Sequence, residues 1–143
     1  MIVLDTNVIF EPLRPIGNPN VLAWLDQQDI ETLFLTTISL AELRHGVAAL
    51  PDGRRRKSLS TALEERIIPL FGPRVLPFDA AATRTYAAIR VRAQKAGKAI
   101  GAADSYIAAT VAAHGFAIAT RDGSAFEAAG ITVIDPWAQP PEG

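Results

Sequence analysis

Five short apolar runs divide the chain: Ile2-Val3-Leu4, Leu33-Phe34-Leu35, Val75-Leu76-Pro77-Phe78, Ala117-Ile118-Ala119 and Ile131-Thr132-Val133-Ile134. The first is branched and apolar without alternation, which suits a strand covered on both faces in a parallel sheet. The others read the same way, except that Pro77 cannot donate to a strand ladder and predicts a third strand that is short or at an edge. Helical patterns fill the intervals. Val21 to Gln28 follows Pro19 and Asn20, a helix start, and Leu40 to Leu50 comes next. From Arg54 onward Leu59, Leu63 and Ile67 recur every four residues, the spacing of one helix face. Asp79 is placed to cap a long helix that ends before Gly97, and Asp104 opens another that stops at Gly115. Strands alternating with helices predict an α/β fold: a three-layer domain with a mainly parallel central sheet flanked by helices.

Length and composition narrow this picture. A chain of 143 residues has room for one core, so residues 1–138 are expected to form a single domain, and 139–143, rich in proline, a short flexible tail. Apolar residues make up 49% and charged residues 20%, enough to bury a core and too little charge for a disordered chain. There is no cysteine, which excludes disulfides and thiolate metal sites, so a metal would be held by oxygen or by His45 and His114. Oxygen ligands point to Mg²⁺ or Mn²⁺. The start, Met-Ile-Val-Leu-Asp, lacks the basic head and length of a secretory signal, and no apolar stretch reaches the roughly 18 residues needed to span a bilayer. A soluble, cytoplasmic protein with no membrane partner is expected. The net charge of −1 does not advertise nucleic-acid binding, although catalytic carboxylates are counted in that total.

The acids carry the candidate chemistry. Ligands of open α/β sheets bind beyond the carboxyl ends of the strands. Asp5 directly follows the first apolar run, Glu42 opens the helix after the second, Asp122 lies two residues beyond Ala117 to Thr120, and Asp104 sits in the first turn of its helix. All four can project from one sheet edge. Two carboxylates about 5 Å apart repel by roughly 3 kcal/mol at an effective dielectric near 20, so a fold that converges four needs a cation. Mg²⁺ binds one or two carboxylates, keeps waters and coordinates phosphate oxygens; such a metal can activate water and stabilise a phosphodiester under in-line attack.

Each acid also has a purely structural reading. Ser39-Leu40-Ala41-Glu42 fits an S-x-x-E capping box, Asp104 can complement a helix dipole, and Asp122-Gly123 is a common turn pair. Asp5 is the hardest to dismiss, because a carboxylate abutting a buried strand is seldom needed for folding.

The four segments together match a family. Met1 to Val8, with its Leu4-Asp5-Thr6-Asn7 core, resembles the first motif of PIN domains, particularly the VapC and FitB-like toxin ribonucleases. Ile38 to Val47 resembles the second motif, Ile100 to Asp104 the third and Ala119 to Asp122 the fourth, with Asp135-Pro136-Trp137 closing the chain as in many members. The resemblance spans residues 1 to 138, and four motifs in this order are far more specific than any one. It implies a metal-dependent endoribonuclease, the toxin of a type II toxin–antitoxin pair, with Mg²⁺ as cofactor and Mn²⁺ able to substitute. Asp5, Glu42, Asp104 and Asp122 would be the catalytic, metal-binding acids. Thr6, Asn7 and Thr120 would orient carboxylates or waters around them. The fourth acidic position is often Asn in relatives and is Asp122 here. The implied partners are RNA, a second copy of the chain and a small antitoxin protein that obstructs the acidic cleft.

Other features are less specific. Arg54-Arg55-Arg56-Lys57 can meet RNA phosphates or form a solvated face. Arg84, Arg90, Arg92, Lys95 and Lys98 share a helix and its exit, where they flank a cleft or form an ordinary exposed face. Arg121 neighbours Asp122 and is read as offsetting local negative charge, His45 and His114 as helix-surface or packing residues, and Trp24 and Trp137 as core or interface residues in preference to platforms that stack on bases. Among rival functions, a phosphotransferase of the haloacid-dehalogenase kind needs a second Asp two residues after the first, where Asn7 stands. A receiver-like interaction module needs an early acidic pair, and Asp5 has no acidic neighbour. A non-catalytic PIN-like domain would not need the complete acidic set.

Overall fold

The computed structural model describes residues 1–138; the expected tail at 139–143 lies outside the described residues. Five strands form one sheet: β1 (Ile2–Leu4), β2 (Leu33–Thr36), β3 (Val75–Leu76), β4 (Ala117–Ala119) and β5 (Val133–Ile134). Their order is β3-β2-β1-β4-β5, and every pairing is parallel. The sheet is therefore wholly rather than mainly parallel. β3 is a two-residue edge strand, as Pro77 requires.

The connecting helices are α1 (Thr6–Phe10), α2 (Pro19–Gln27), α3 (Thr37–Ala48), α4 (Arg54–Ala62), α5 (Ile68–Phe71), α6 (Ala80–Lys95), α7 (Ala102–His114) and α8 (Ser124–Ala128). Caps explain several boundaries. The Asp79 carboxylate accepts from the Ala82 amide at the head of α6, and Gly115 ends α7 in the left-handed region with φ of 69°. A π-helical segment, Leu63–Ile67, joins α4 to α5. Pro69 lacks the N–H that an α-helical ladder would use and its ring crowds the carbonyl four residues back, so the chain widens there without breaking the face on which Leu59 and Leu63 are buried.

Adjacent residues of a strand point to opposite faces, and the core divides accordingly. Leu4, Leu35 and Ala119 join Val8, Trp24, Leu43, Leu63 and Phe71 on one side of the sheet. Val3 and Ile118 join Ile107, Val111 and Phe126 on the other. Both faces of β1 and β4 are thus covered, which is why these runs read as continuously apolar. Trp24 is a core residue. Among the described residues no helix is long and apolar enough to cross a membrane.

Candidate active site

The strand order runs outward from β1 through β2 on one side and through β4 on the other, so the carboxyl end of β1 lies at a topological switch point, where open α/β sheets leave a crevice. Asp5 occupies that end. Its amide donates to the Ala119 carbonyl at 2.9 Å, extending the β1–β4 ladder by one residue. Its Oδ1 accepts from the Thr6 amide at 2.8 Å, making Asp5 the N-cap of α1. Its Oδ2 accepts from the Thr120 hydroxyl at 2.8 Å, just beyond β4. Asp5 therefore does have a folding role, contrary to the expectation from sequence, and the same bonds fix its carboxylate in one orientation.

Thr120, fully buried, is shared: its Oγ1 also accepts from Asn7 Nδ2 at 3.4 Å. The other end of that amide, Asn7 Oδ1, is buried with no partner among the described residues. An unpaired buried acceptor costs about 1–3 kcal/mol, so this atom is poised to accept from something the polypeptide does not supply.

Glu42 lies in the second turn of α3 and does not open the helix. The capping-box reading is overturned: Thr36 is the N-cap, its hydroxyl oxygen accepting from the Ser39 amide at 3.0 Å, while Ser39 is buried inside the helix. The Glu42 carboxylate instead accepts from the Thr6 hydroxyl at 3.2 Å, an acid held by the residue after Asp5. Burial pushes the Glu42 carboxyl above its usual range; the Thr6 bond opposes the rise, and the charges of Asp5 and Asp104 add to it.

Asp104 stands in the first turn of α7, whose N-cap is Gly101. Its pKa is raised by burial first and then by the charges of Asp5 and Asp122. Asp122 follows Thr120 by two residues and accepts from the Ser124 hydroxyl at 3.2 Å, a partner the sequence reading did not include. The four predicted acids thus share one electrostatic neighbourhood, although they come from four different connections. Among the described residues no three His, Asp or Glu side chains converge closely enough to form a ligand shell by themselves. The donor set still fits a hard divalent cation, because Mg²⁺ needs only one or two carboxylates and retains waters, which would also serve the orphaned Asn7 oxygen.

The other charged residues separate clearly. Arg54, Arg55, Arg56 and Lys57 head α4, with Arg56 paired to Asp52. Arg90 is structural: it donates to the Ile100 carbonyl at 3.2 Å and the Ser105 hydroxyl at 3.3 Å, and its guanidinium lies 5.9 Å from the Tyr86 ring centroid. Arg44 of α3 holds Glu64 through two bonds, of 2.8 and 2.9 Å. His45 and His114 are exposed on their helices.

Comparison with known proteins places this geometry in a family. The PIN domain model matches residues 2–131. VapC ribonuclease Y4jK of Sinorhizobium fredii is 55% identical over 137 residues, covering 96% of this chain and 98% of that protein. The crystal structure of FitAcB from Neisseria gonorrhoeae is similar with a TM-score of 0.94 and 50% identity, covering 97% of this chain and 100% of that one. VapBC-5 from Mycobacterium tuberculosis, described as a member of the VapBC family of toxin–antitoxin systems, gives a TM-score of 0.65 at 28% identity, covering 92% of this chain and 95% of that one. The carboxylates at the switch point and these likenesses over nearly the whole chain lead to one assignment: the protein belongs to the PIN domain family, in its VapC and FitB-like group.

Proposed function

We propose that this protein is a divalent-metal-dependent endoribonuclease acting as the toxin of a type II toxin–antitoxin pair. The observation that carries the proposal is the fixed Asp5 carboxylate, held by the Thr6 amide and the Thr120 hydroxyl, in the electrostatic company of Glu42, Asp104 and Asp122. A site that crowds acids at a cost in repulsion suits a cation and a phosphodiester better than any apolar ligand. The ribonuclease name of the Sinorhizobium relative supports the reaction, and the toxin–antitoxin description of the Mycobacterium structure supports the partner.

In this reading Mg²⁺, or Mn²⁺ in its place, would be held among Asp5, Glu42, Asp104 and Asp122, by one or two carboxylates directly and by the others through its waters. When bound, the ion supplies Lewis acidity toward a phosphate oxygen and makes water a better nucleophile at neutral pH. The protein's part is orientation. Thr120 and the Thr6 amide keep Asp5 from rotating, and Thr6 also holds Glu42. Burial and neighbouring charge raise the proton affinity of the metal-free Glu42 and Asp104 carboxyls, a cost that a bound cation would relieve. Asn7 Oδ1 offers a further acceptor for a water. The partners in this reading are RNA, a second copy of the chain and an antitoxin protein that blocks the acidic edge.

The test is incubation of the purified protein with single-stranded RNA, with Mg²⁺, with Mn²⁺ and with excess chelator, followed by sequencing of the cleaved ends. Cleavage with either metal and none in chelator is the expected result. Full activity in chelator would remove the metal mechanism, and an inactive protein with normal folding would favour a non-catalytic PIN-like interaction module.

A further inference from the structure

Arg121 lies between two site residues, Thr120, which holds Asp5, and Asp122, itself one of the acids. Its side chain does not pair with Asp122. Among the described residues the guanidinium forms no ion pair, and its Cζ sits 5.3 Å from the centroid of the Trp137 ring. Charge compensation of Asp122, its other reading, would therefore act without a direct ion pair. Arg121 is exposed, so one face of the guanidinium is covered by indole while N–H donors at its edge stay open to solvent.

The indole is itself anchored. Trp137 packs against the core, its amide donates to Asp135 Oδ1 at 2.9 Å, and its carbonyl accepts from Asn20 Nδ2 at 3.1 Å. A planar cation that would otherwise sample many rotamers is thereby held at the carboxyl end of the sheet, beside an acid cluster. An arginine placed there and left without a carboxylate matches a phosphate group, which takes two parallel N–H bonds.

We propose that Arg121, seated on Trp137, binds a backbone phosphate of single-stranded RNA next to the bond that is cut. The inference rests on the acid cluster being the RNA-cleaving site, and it assigns the neighbouring groups to substrate binding. A fixed cation here also accounts for how a chain of net charge −1 can bring a polyanion to carboxylates. Trp137 positions the guanidinium; Arg121 touches the substrate.

The experiment measures binding of a short fluorescein-labelled single-stranded RNA in EDTA, where no cleavage occurs, across a range of salt concentrations, together with Mg²⁺-dependent cleavage kinetics. In Arg121→Ala, affinity should fall about tenfold, and the slope of log affinity against log salt should shrink by about 0.7, the loss of one phosphate contact. KM should rise while kcat changes little. Arg121→Lys should keep the slope and recover part of the affinity, since it retains the charge without the planar fork. Trp137→Leu should weaken binding several-fold although the charge is intact. If the wild-type chain binds and cleaves RNA but Arg121→Ala matches it in affinity and salt slope, this inference is wrong and the cleavage site stands. Should the wild-type chain neither bind nor cleave RNA, the proposed function itself fails. An Arg121→Ala change confined to a displaced pH profile, with RNA affinity untouched, would return Arg121 to the role of neutralising Asp122.

Discussion

Thr120 donates its hydroxyl to Asp5 Oδ2 at 2.8 Å, joining residues 115 positions apart at the ends of the neighbouring strands β4 and β1. The same oxygen accepts from Asn7, so removing it strips a partner from two polar groups at once. Thr120→Val, nearly isosteric, should cost about 1–3 kcal/mol in urea unfolding and lower RNA cleavage about 10- to 100-fold. Thr120→Ser should restore both. Wild-type cleavage in Thr120→Val would mean that the orientation of Asp5 does not matter to the reaction.

Glu42→Gln isolates charge from structure. Gln can still accept from the Thr6 hydroxyl, and Glu42 has no capping duty to lose, so stability should stay within about 0.5 kcal/mol of wild type. Cleavage should fall by about two orders of magnitude or more. Survival of activity in the folded variant would reduce Glu42 to a partner for Thr6.

The raised pKa values of Glu42 and Asp104 have a definite sign in stability. A carboxyl whose folded pKa lies above its unfolded value binds more protons in the folded state. Its contribution is complete below the ordinary carboxylate values of 4.5 for Glu42 and 3.8 for Asp104, and is lost as pH rises through the raised values. Asp104→Asn removes one such group. In chelator, unfolding at pH 7 and at pH 3.5 should show the variant gaining on wild type at the higher pH. Mg²⁺ at about one hundred times its dissociation constant should stabilise the wild type by roughly 2.7 kcal/mol, a melting shift on the order of 10 °C. Asp104→Asn should lose most of that shift; a full shift in the variant would place Asp104 outside the metal site.

Gly123 has an ordinary φ of −93°, yet a Cβ there would collide with the side chain of Val133 on β5. The residue is small because the turn carrying Asp122 rests directly on the sheet. Gly123→Ala should cost about 1–3 kcal/mol by overpacking and should also reduce cleavage, since the turn must shift and take Asp122 with it. Full activity with reduced stability would show that the position of Asp122 is not critical.

What the sequence by itself determined was the local grammar: which runs are doubly buried strands, where Asp79 starts and Gly115 ends a helix, and which oxygen-bearing residues stand at strand ends. These follow from side-chain period, caps and turn chemistry, all of which act within a few residues. The five-residue helices α1 and α8 were not legible, because fewer than two turns carry too little periodicity to register. Nor was the role of Glu42, since Ser39 and Glu42 have capping-box spacing while the actual cap, Thr36, and the actual partner, Thr6, are chosen by how α3 seats against α1. Arg121 shows the same division: its neighbour in sequence is Asp122, but its neighbour in space is Trp137, beyond β5. The tertiary structure decided which acids meet, because only the parallel order β3-β2-β1-β4-β5 brings the ends of separate strands to one edge, where carboxylates distant in sequence come within range of each other's charge.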